Sequence, residues 1–439
     1  MGRAIEPGRR YARVTDEGVA ARRGALGVLS DVAAGAYADR AAARRFRDLD
    51  SRDRGLAQEL AYGAIRLRGR LDAELGRLSN RPLGRLEPEV LAALRLGLYQ
   101  LRETRIPAHA AVDATLEATG PSVSAGARGL INAILRRAAR EGRVAGVFPA
   151  FDDDPVGYLS TWGSHPEWLV RRWLQRYPLA SVRRLVELDN EPPPVTFRLL
   201  EGSSAETSLP AGLDPHPNRP GMAALADGAP ADAIRGGSVI AQDPAASAVV
   251  DYVSPGLEGP LLDACAAPGG KAVALWFASG ARPVIAADVN TERLRRVGAL
   301  ASAAGAAPWL VAMDGRHPAI RGVRTVLLDV PCSGTGVLRR RPDARWRLQP
   351  GRIEALVELQ RDLLHALADL LPAGGLLVYA TCSLEPEENE EQVAEFLAER
   401  PEFERDIEGP TDAVDLHVWP WESGSDGAYA SRLRKRRKE

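Results

Sequence analysis

Residues 263–271 read DACAAPGGK. The apolar run LLDA (261–264) ends on an acid, opens into a turn with two adjacent glycines, and passes into a helix-like segment at 270–279. Read locally, this is a strand, a tight turn and the first turn of a helix. Glycines let the backbone approach a ligand, and the helix N-terminus offers unpaired N–H groups. The turn is neither the G-x-G-x-x-G of dinucleotide sites nor the G-x-x-x-x-G-K-[ST] of nucleoside triphosphate sites. The strand-like pattern then recurs, ending at VIAAD (284–288), WLVAMD (309–314), TVLLD (325–329) and LLVYATCS (376–383), with helix-like segments at 291–304 and 350–371. Alternation of that length predicts a doubly wound α/β fold with a largely parallel sheet. Ligands of such sheets sit beyond the carboxyl ends of the strands, at the topological switch point. Asp263, Asp288, Asp314, Asp329 and Cys382 all fall on that rim. A single acid at a strand end is an ordinary helix cap, but five reactive side chains on one rim predict a site.

The chain of 439 residues has only three cysteines: Cys265 in the turn above, Cys332 in LDVPCSGTG (328–336) and Cys382 in YATCSLEPEEN (379–389). Each ends an apolar run. None forms a CxxC pair and no histidine has ligand spacing to a cysteine, so neither a zinc site nor any other metal is expected. One cysteine taken alone is most often a buried small hydrophobe, but two thiols at adjacent strand ends, 50 residues apart, suit a different use. Cytosine C5 is a poor nucleophile. A thiolate adding to C6 makes C5 enamine-like, so that it accepts a methyl group before the C5 proton and the thiol are lost. Asp329, three residues before Cys332, is placed to hydrogen-bond or protonate N3. For the donor, Asp288 at the next strand end would hold two ribose hydroxyls and Asp314 an adenine amine. A nucleoside cofactor that needs no phosphate points to S-adenosylmethionine. Of the 57 basic residues 54 are arginine, and in 1–434 the only lysine is Lys271. An ammonium kept there, in a chain that uses guanidinium elsewhere, marks a tight site.

Charge and helical spacing set the N-terminal part apart. Residues 1–143 carry 26 Arg against 17 Asp and Glu, a net of +9, and the rest of the chain is −10. Such asymmetry suits a polyanion-binding domain joined to a domain of another kind; a solvated Arg-rich helical surface would look the same by charge alone. Leu56, Leu60, Leu67, Leu71, Leu75 and Leu78 line one helix face, and further helices are predicted at 17–35, 87–102, 108–119 and 125–140. The domains read as follows: 1–143 all-helical, 144–165 a linker, 166–235 a small mixed α/β RNA-binding subdomain, 236–434 the methyltransferase-like α/β domain, and 435–439 a basic tail. The end RLRKRRKE reads as a disordered, solvated tail. No apolar run approaches the ~20 residues of a membrane span, and MGRAIEPGRR is not a secretory signal. A reducing cytoplasm is the expected location.

Residues 236–434 resemble the bacterial Sun/RsmB-type RNA (cytosine-5) methyltransferases, through AQDPAAS, LDACAAPGGK, ADVNTERL, MDGR, LDVPCSGTGVLRRRPDARW, YATCSLEPEENEEQV and DGAYASRL in order. The N-terminal part is similar to the NusB-type RNA-binding domain, through DRGLAQELAYGAIR, LRLGLYQL, IPAHAAVDATLE and GLINAILRR. The resemblance implies a NusB-like all-α domain followed by a Rossmann-like class I S-adenosylmethionine-dependent methyltransferase, acting as a monomer on one cytosine of 16S ribosomal RNA, free or in an early particle. It implies Cys382 as the thiolate that attacks C6 and Cys332 as the residue assisting product release. It also gathers Cys265, Ala266, Ala267, Pro268, Gly269, Gly270, Lys271, Asp288, Arg293, Asp314 and Asp329 around cofactor and base. Three positions depart from the family blocks: Leu200 stands where asparagine is usual, Ala272 for threonine, and Ala428 in DGAY. Transfer RNA or 23S ribosomal RNA as substrate is an alternative, as is a non-enzymatic RNA-binding assembly factor. Intact thiols, Asp329 and AAPGGK speak against the latter. A nicotinamide enzyme would need the G-x-G-x-x-G turn, and an exocyclic-amine methyltransferase an Asn- or Asp-Pro-Pro-Tyr motif in place of DVPCSG.

Overall fold

Caps and apolar spacing divide the first part of the chain into short helices. Asp50 accepts from the Asp53 amide to cap Ser51–Arg66, and Ser124 accepts from the Ala127 amide to cap Ala125–Glu141. Proline stands in the first turn of Pro88–Glu103, where its missing N–H costs nothing. The leucine face is carried by two consecutive helices, Ser51–Arg66 and Arg68–Leu78, with Leu60, Leu67, Leu71, Leu75 and Leu78 all in the core. A helix the spacing did not predict, Ala38–Arg45, is short and arginine-rich and buries only alanines.

The computed structural model describes residues 18–200, 209–228, 230–254, 257–280, 282–407 and 414–437. The chain forms two units, 1–191 with 338–347, and 192–337 with 348–439. The N-terminal MGRAIEPGRR and Lys438–Glu439 of the tail lie outside the described residues.

One expectation changes in the first unit, and one arginine run proves partly interior. The stretch 144–165, read as a linker, is packed: Asp154 caps the helix Pro155–Thr161, Leu159 is buried, and Trp162 stands edge-on to Phe148 at 5.1 Å. The Arg-rich stretch 339–347 is also interior in part. Arg345 is fully buried. Its Nη1 donates to the carbonyls of Arg66 (3.4 Å) and Ser164 (3.2 Å) and to Asn190 Oδ1 (2.9 Å), and its Nη2 to the carbonyls of Asp189 (2.9 Å) and Leu338 (3.4 Å). Trp346 Nε1 donates to the Ile65 carbonyl at 2.9 Å. Arg345 is therefore a strut between helix ends and is not available to phosphate.

In the second unit a small antiparallel sheet comes first, from β1 (Thr196–Leu199), β2 (Leu213–Pro215), β3 (Met222–Leu225) and β4 (Val239–Ala241), in the order β2-β3-β1-β4. The large sheet contains β5 (Leu261–Asp263), β6 (Val284–Asp288), β7 (Trp309–Ala312), β8 (Thr325–Asp329) and β9 (Leu376–Thr381), then β10 (Phe403–Arg405), β11 (Asp415–Val418) and β12 (Ala428–Lys435). Its order is β10-β12-β9-β8-β5-β6-β7, with β11 on β12. The strands from β9 to β7 are parallel; β10, β11 and β12 pair antiparallel. The chain runs outward from β5 to β7 and then returns to β8 on the other side of β5. That reversal puts the switch point between β5 and β8. Helices Gly270–Ala278, Thr291–Ala303 and Pro350–Ala368 follow their strands as the alternation predicted.

The first half of the RLRKRRKE end is strand, not tail. β12 pairs with β9 through Arg434, Arg432 is fully buried against Asp406 at 2.8 Å, and Lys435 donates to the Leu371 carbonyl. Among the described residues no helix is long and apolar enough to cross a membrane.

Replacing Arg345 by alanine strands four buried carbonyls and an amide oxygen, a loss of about 3 kcal/mol. Arg345→Ala should lower the unfolding midpoint of the helical unit by on the order of 6–12 °C, whereas Arg341→Ala, at an exposed position, should change stability by less than about 0.5 kcal/mol. Differential scanning calorimetry of the full chain checks both.

Candidate active site

The thiols owe their meeting to strand register. β8 and β9 run parallel with Asp329 opposite Ala380, and the Val330 amide extends the ladder to the Ala380 carbonyl at 3.0 Å. Cys332 and Cys382 lie just past these ends, with their sulfurs 3.3 Å apart. The loop after Cys332 folds back so that the Gly336 amide donates to the Cys382 carbonyl (3.0 Å) and the Gly427 amide to the Gly336 carbonyl (2.7 Å). A Cβ at Gly336 would stand 2.9 Å from both the Cys382 carbonyl oxygen and the Gly427 Cα, so only glycine permits this approach.

At the end of β5 the turn reaches Gly269, whose φ of +114° is left-handed and whose Cβ position lies 3.0 Å from the Val297 Cα. The turn thus rests on the helix Thr291–Ala303, and Lys271 emerges toward β8. Its Nζ donates to Asp329 Oδ2 at 2.7 Å. The Asp288 carboxylate, at the end of β6, accepts from the Asn290 amide at 2.9 Å and lies 3.6 Å from Arg293 Nη2. Arg293 also donates to the Ala267 carbonyl at 3.2 Å, tying the turn to that strand end. Asp314, past β7, accepts from Nε and Nη2 of Arg316. Every residue expected at the site therefore lies on the carboxyl rim of one sheet. Cys265 turns partly into the core beneath it. Ala272 is fully buried beside Ala266 and Ala267, and Leu200 and Ala428 are core residues, so none of these three departures disturbs the rim.

A profile described as 16S rRNA methyltransferase RsmB/F matches residues 252–434, one for the NusB family matches 19–140, and an RsmF/B-like ferredoxin-like domain matches 165–201. The ribosomal RNA small subunit methyltransferase B of Klebsiella pneumoniae subsp. pneumoniae is 34% identical over 403 residues, covering 89% of this chain and 92% of its own. The protein of that name from Citrobacter koseri is 33% identical over 402 residues, with 88% and 92% covered. The chain belongs to the RsmB/F family of ribosomal RNA methyltransferases. Its fold is shared with the crystal structure of PH0851 (TM-score 0.78, 20% identity, 95% of this chain and 99% of that one). It is shared also with a methyltransferase homolog protein from Pyrococcus horikoshii (TM-score 0.53, 22% identity, 62% and 96% covered).

S-adenosylmethionine is the methyl donor of RsmB/F enzymes, and the rim fits it. A Cβ on Gly270 would meet only Gln242, at 3.6 Å, so the helix N-terminus is open to a ligand. The Asp288 carboxylate is 3% exposed and has one oxygen with no closer partner than Arg293. Among the described residues no group of three or more His, Cys, Asp or Glu could hold a metal ion.

The electrostatics separate the groups. Although burial opposes charging, Asp329, and behind it Cys382 and Asp263, hold the Lys271 ammonium above its ordinary value. Arg316 draws the Asp314 carboxyl down to about 2. Burial first, then the charges of Asp263, Asp329 and Asp288, push the Cys265 thiol up, so it stays protonated. The hydrogen bond with Cys382, then burial, pushes Cys332 well above the ordinary thiol range. Two features went unread in the sequence. Glu388 is one glutamate among several in LEPEENEE, and Asp263 is a buried carboxyl with no well-formed hydrogen bond to either oxygen. Burial, reinforced by Asp329, pushes Asp263 up to about 8, against the pull of Lys271 and the Cys265 amide.

An unfolded aspartate titrates near 3.9, so between about pH 4 and pH 8 the folded chain holds a proton on Asp263 that the unfolded chain has released. The stability linked to this group is fully present below pH 4 and is lost as the pH rises toward 8. Wild type should therefore lose more than about 2 kcal/mol relative to Asp263→Asn between pH 5 and pH 8. Urea unfolding at several pH values measures it, and a pH-independent difference would mean that Asp263 is charged in the fold.

Proposed function

We propose that this RsmB/F-family enzyme methylates C5 of a cytosine in small-subunit ribosomal RNA through a covalent adduct between Cys382 and C6. The observation that carries the reading is the pair of sulfurs 3.3 Å apart beside the Lys271–Asp329 ion pair. The names of the relatives, small subunit methyltransferases, support the choice of RNA. S-adenosylmethionine supplies an electrophilic methyl group. The Cys382 sulfur forms a bond to C6, and the C5–C6 π pair moves onto C5, which takes the methyl group. A proton taken from solvent and held between Asp329 and N3 draws charge from the ring during the addition and returns to solvent when the ring re-forms. The C5 proton then passes to water, the C6–S bond breaks and its pair returns to the sulfur while the aromatic ring re-forms. The Cys332 S–H lies within hydrogen-bond distance of the departing sulfur and eases that departure. Stacking blocks the ring face, so the target is flipped out or single-stranded when the thiol attacks.

Cys382→Ala should abolish methylation and form no adduct. Cys332→Ala should attack and methylate but remain joined to its RNA. A denaturing gel with RNA and cofactor reads this as a slow band for Cys332→Ala only, and the reverse pattern would exchange the two roles. Bisulfite sequencing of cellular RNA with and without the enzyme locates the cytosine.

The helical unit and the segment 166–235 are the proposed RNA-reading parts. On the helix Ala125–Glu141, Arg128, Arg136 and Arg140 are exposed and recur at four- and eight-residue steps, so they form one stripe. Phosphate contacts release counterions and make affinity salt-dependent. Arg128→Glu with Arg140→Glu should reduce the slope of log affinity against log salt by about 1.5 to 2, whereas Arg341→Glu tests the 339–347 stretch separately. Filter binding over a salt series measures it, and an unchanged slope would remove the stripe from the RNA interface. Deleting 1–143 is a poorer test, because it removes the Arg66 and Ile65 carbonyls that Arg345 and Trp346 need.

A further inference from the structure

A second carboxylate is bonded to the residues that follow the two thiols. Glu388 is fully buried. Its Oε1 accepts from the Ser333 amide (2.8 Å) and from Gln360 Nε2 (2.9 Å), and its Oε2 accepts from the Ser333 and Ser383 hydroxyls at 2.5 Å each. Those serines are the residues directly after Cys332 and Cys382. One carboxylate thus holds two Cys-Ser steps that come from different strand ends. Burial pushes the Glu388 carboxyl up, but the Ser333, Ser383 and Gln360 bonds oppose this, and only the ionised form accepts from all four groups. The support behind it is equally specific. Gln360 also donates to the Pro331 carbonyl (2.9 Å), the Tyr379 hydroxyl donates to the Glu388 carbonyl (2.7 Å), and Asn389 joins Thr381 Oγ1 (2.6 Å) to the Ser383 carbonyl (3.0 Å).

The arrangement is electrostatically lopsided. Glu388 takes both the amide and the hydroxyl of Ser333, beside Cys332, but only the hydroxyl of Ser383, beside Cys382, while the Lys271 ammonium interacts with Cys382. A carboxylate disfavours a thiolate beside it and an ammonium favours one. We propose that Glu388 is the positioning residue of the thiol pair: it sets the register of the two Cys-Ser steps and keeps the remaining proton on Cys332, so that Cys382 carries the thiolate. Of the two thiol protons one goes to solvent and the other stays on Cys332, shared toward Cys382 across 3.3 Å. The use of that thiolate rests on the covalent reading above.

Alkylation with iodoacetamide, mapped by mass spectrometry in the full chain without RNA, reads the distribution of thiolate. In wild type Cys382 should be labelled first. Glu388→Gln keeps the shape and removes the charge, so the Cys332:Cys382 labelling ratio should rise at least about tenfold. Its kcat should fall while KM for RNA stays within about twofold, the signature of a lost transition-state arrangement. Glu388→Asp keeps the charge but cannot span both serines, so it should retain the labelling preference and lose kcat. Calorimetric affinity for S-adenosylmethionine, unchanged within about twofold, shows that each variant is folded. An unchanged labelling ratio in Glu388→Gln overturns the electrostatic role. If that variant does not fold, Ser333→Ala with Ser383→Ala cuts both hydroxyl bonds and leaves the charge; wild-type kcat in it overturns the register role. Labelling is independent of any adduct. Failure of wild type to form an adduct with 5-fluorocytidine RNA would overturn the covalent reading and leave this test standing.

Discussion

The parallel pairing of β8 with β9 is the constraint on which the rest depends. Side chains alternate along a strand, so a slip of one residue would turn each of them to the other face. With Asp329 opposite Ala380, the two chains leave the sheet side by side and their thiols meet. The register of β5 against β8, Asp263 beside Leu327, brings Lys271 within reach of Asp329. Gly336 and Gly427 then lock the loops, because their backbones pass closer than a side chain would allow. The site is a consequence of sheet registers more than of any single loop.

Charge is rationed under that rim. Asp263, Asp288 and Asp329 end neighbouring strands, and the cations that answer them are Lys271 and Arg293. Asp263, left without a cation bonded to it, takes a proton, first because burial disfavours its charge and then because Asp329 repels it. The ammonium of Lys271 is a compact point charge on a flexible stem, which suits a single bond to one oxygen of Asp329; a planar guanidinium would demand a fork. That gives a physical reason for keeping Lys271 in a chain built mostly with arginine.

Arginine itself has two uses in this molecule. On the helix Ala125–Glu141, Arg128 and Arg140 are exposed, and we propose them for phosphate. At Arg345 it is buried and satisfies carbonyls at helix ends, and at Arg432 it pairs with Asp406 inside the sheet. Composition cannot tell these apart, because the same guanidinium serves as a surface charge or as a multiple donor according to what surrounds it. This is why a basic end read as a solvated tail is strand at 432–435, and why the Arg-rich run at 339–347 is partly interior.

The sequence by itself determined the order of strands and helices in the α/β part, the rim of acids and thiols, and the likeness to RNA methyltransferases. Those features are local: apolar period, turn glycines and short motifs are written in consecutive residues. The helical character of the N-terminal part was legible for the same reason, whereas the packed stretch 144–165, with its prolines and three aspartates, imitated a linker because its order comes from contacts with distant helices. Only the tertiary structure decided that Glu388, among so many glutamates, reaches both serines, that Asp263 has lost its solvent, and that Arg345 is a strut. Each of these is set by burial and by partners tens to hundreds of residues away, and solvation of a charged group is a property of its surroundings, which no run of neighbouring residues encodes.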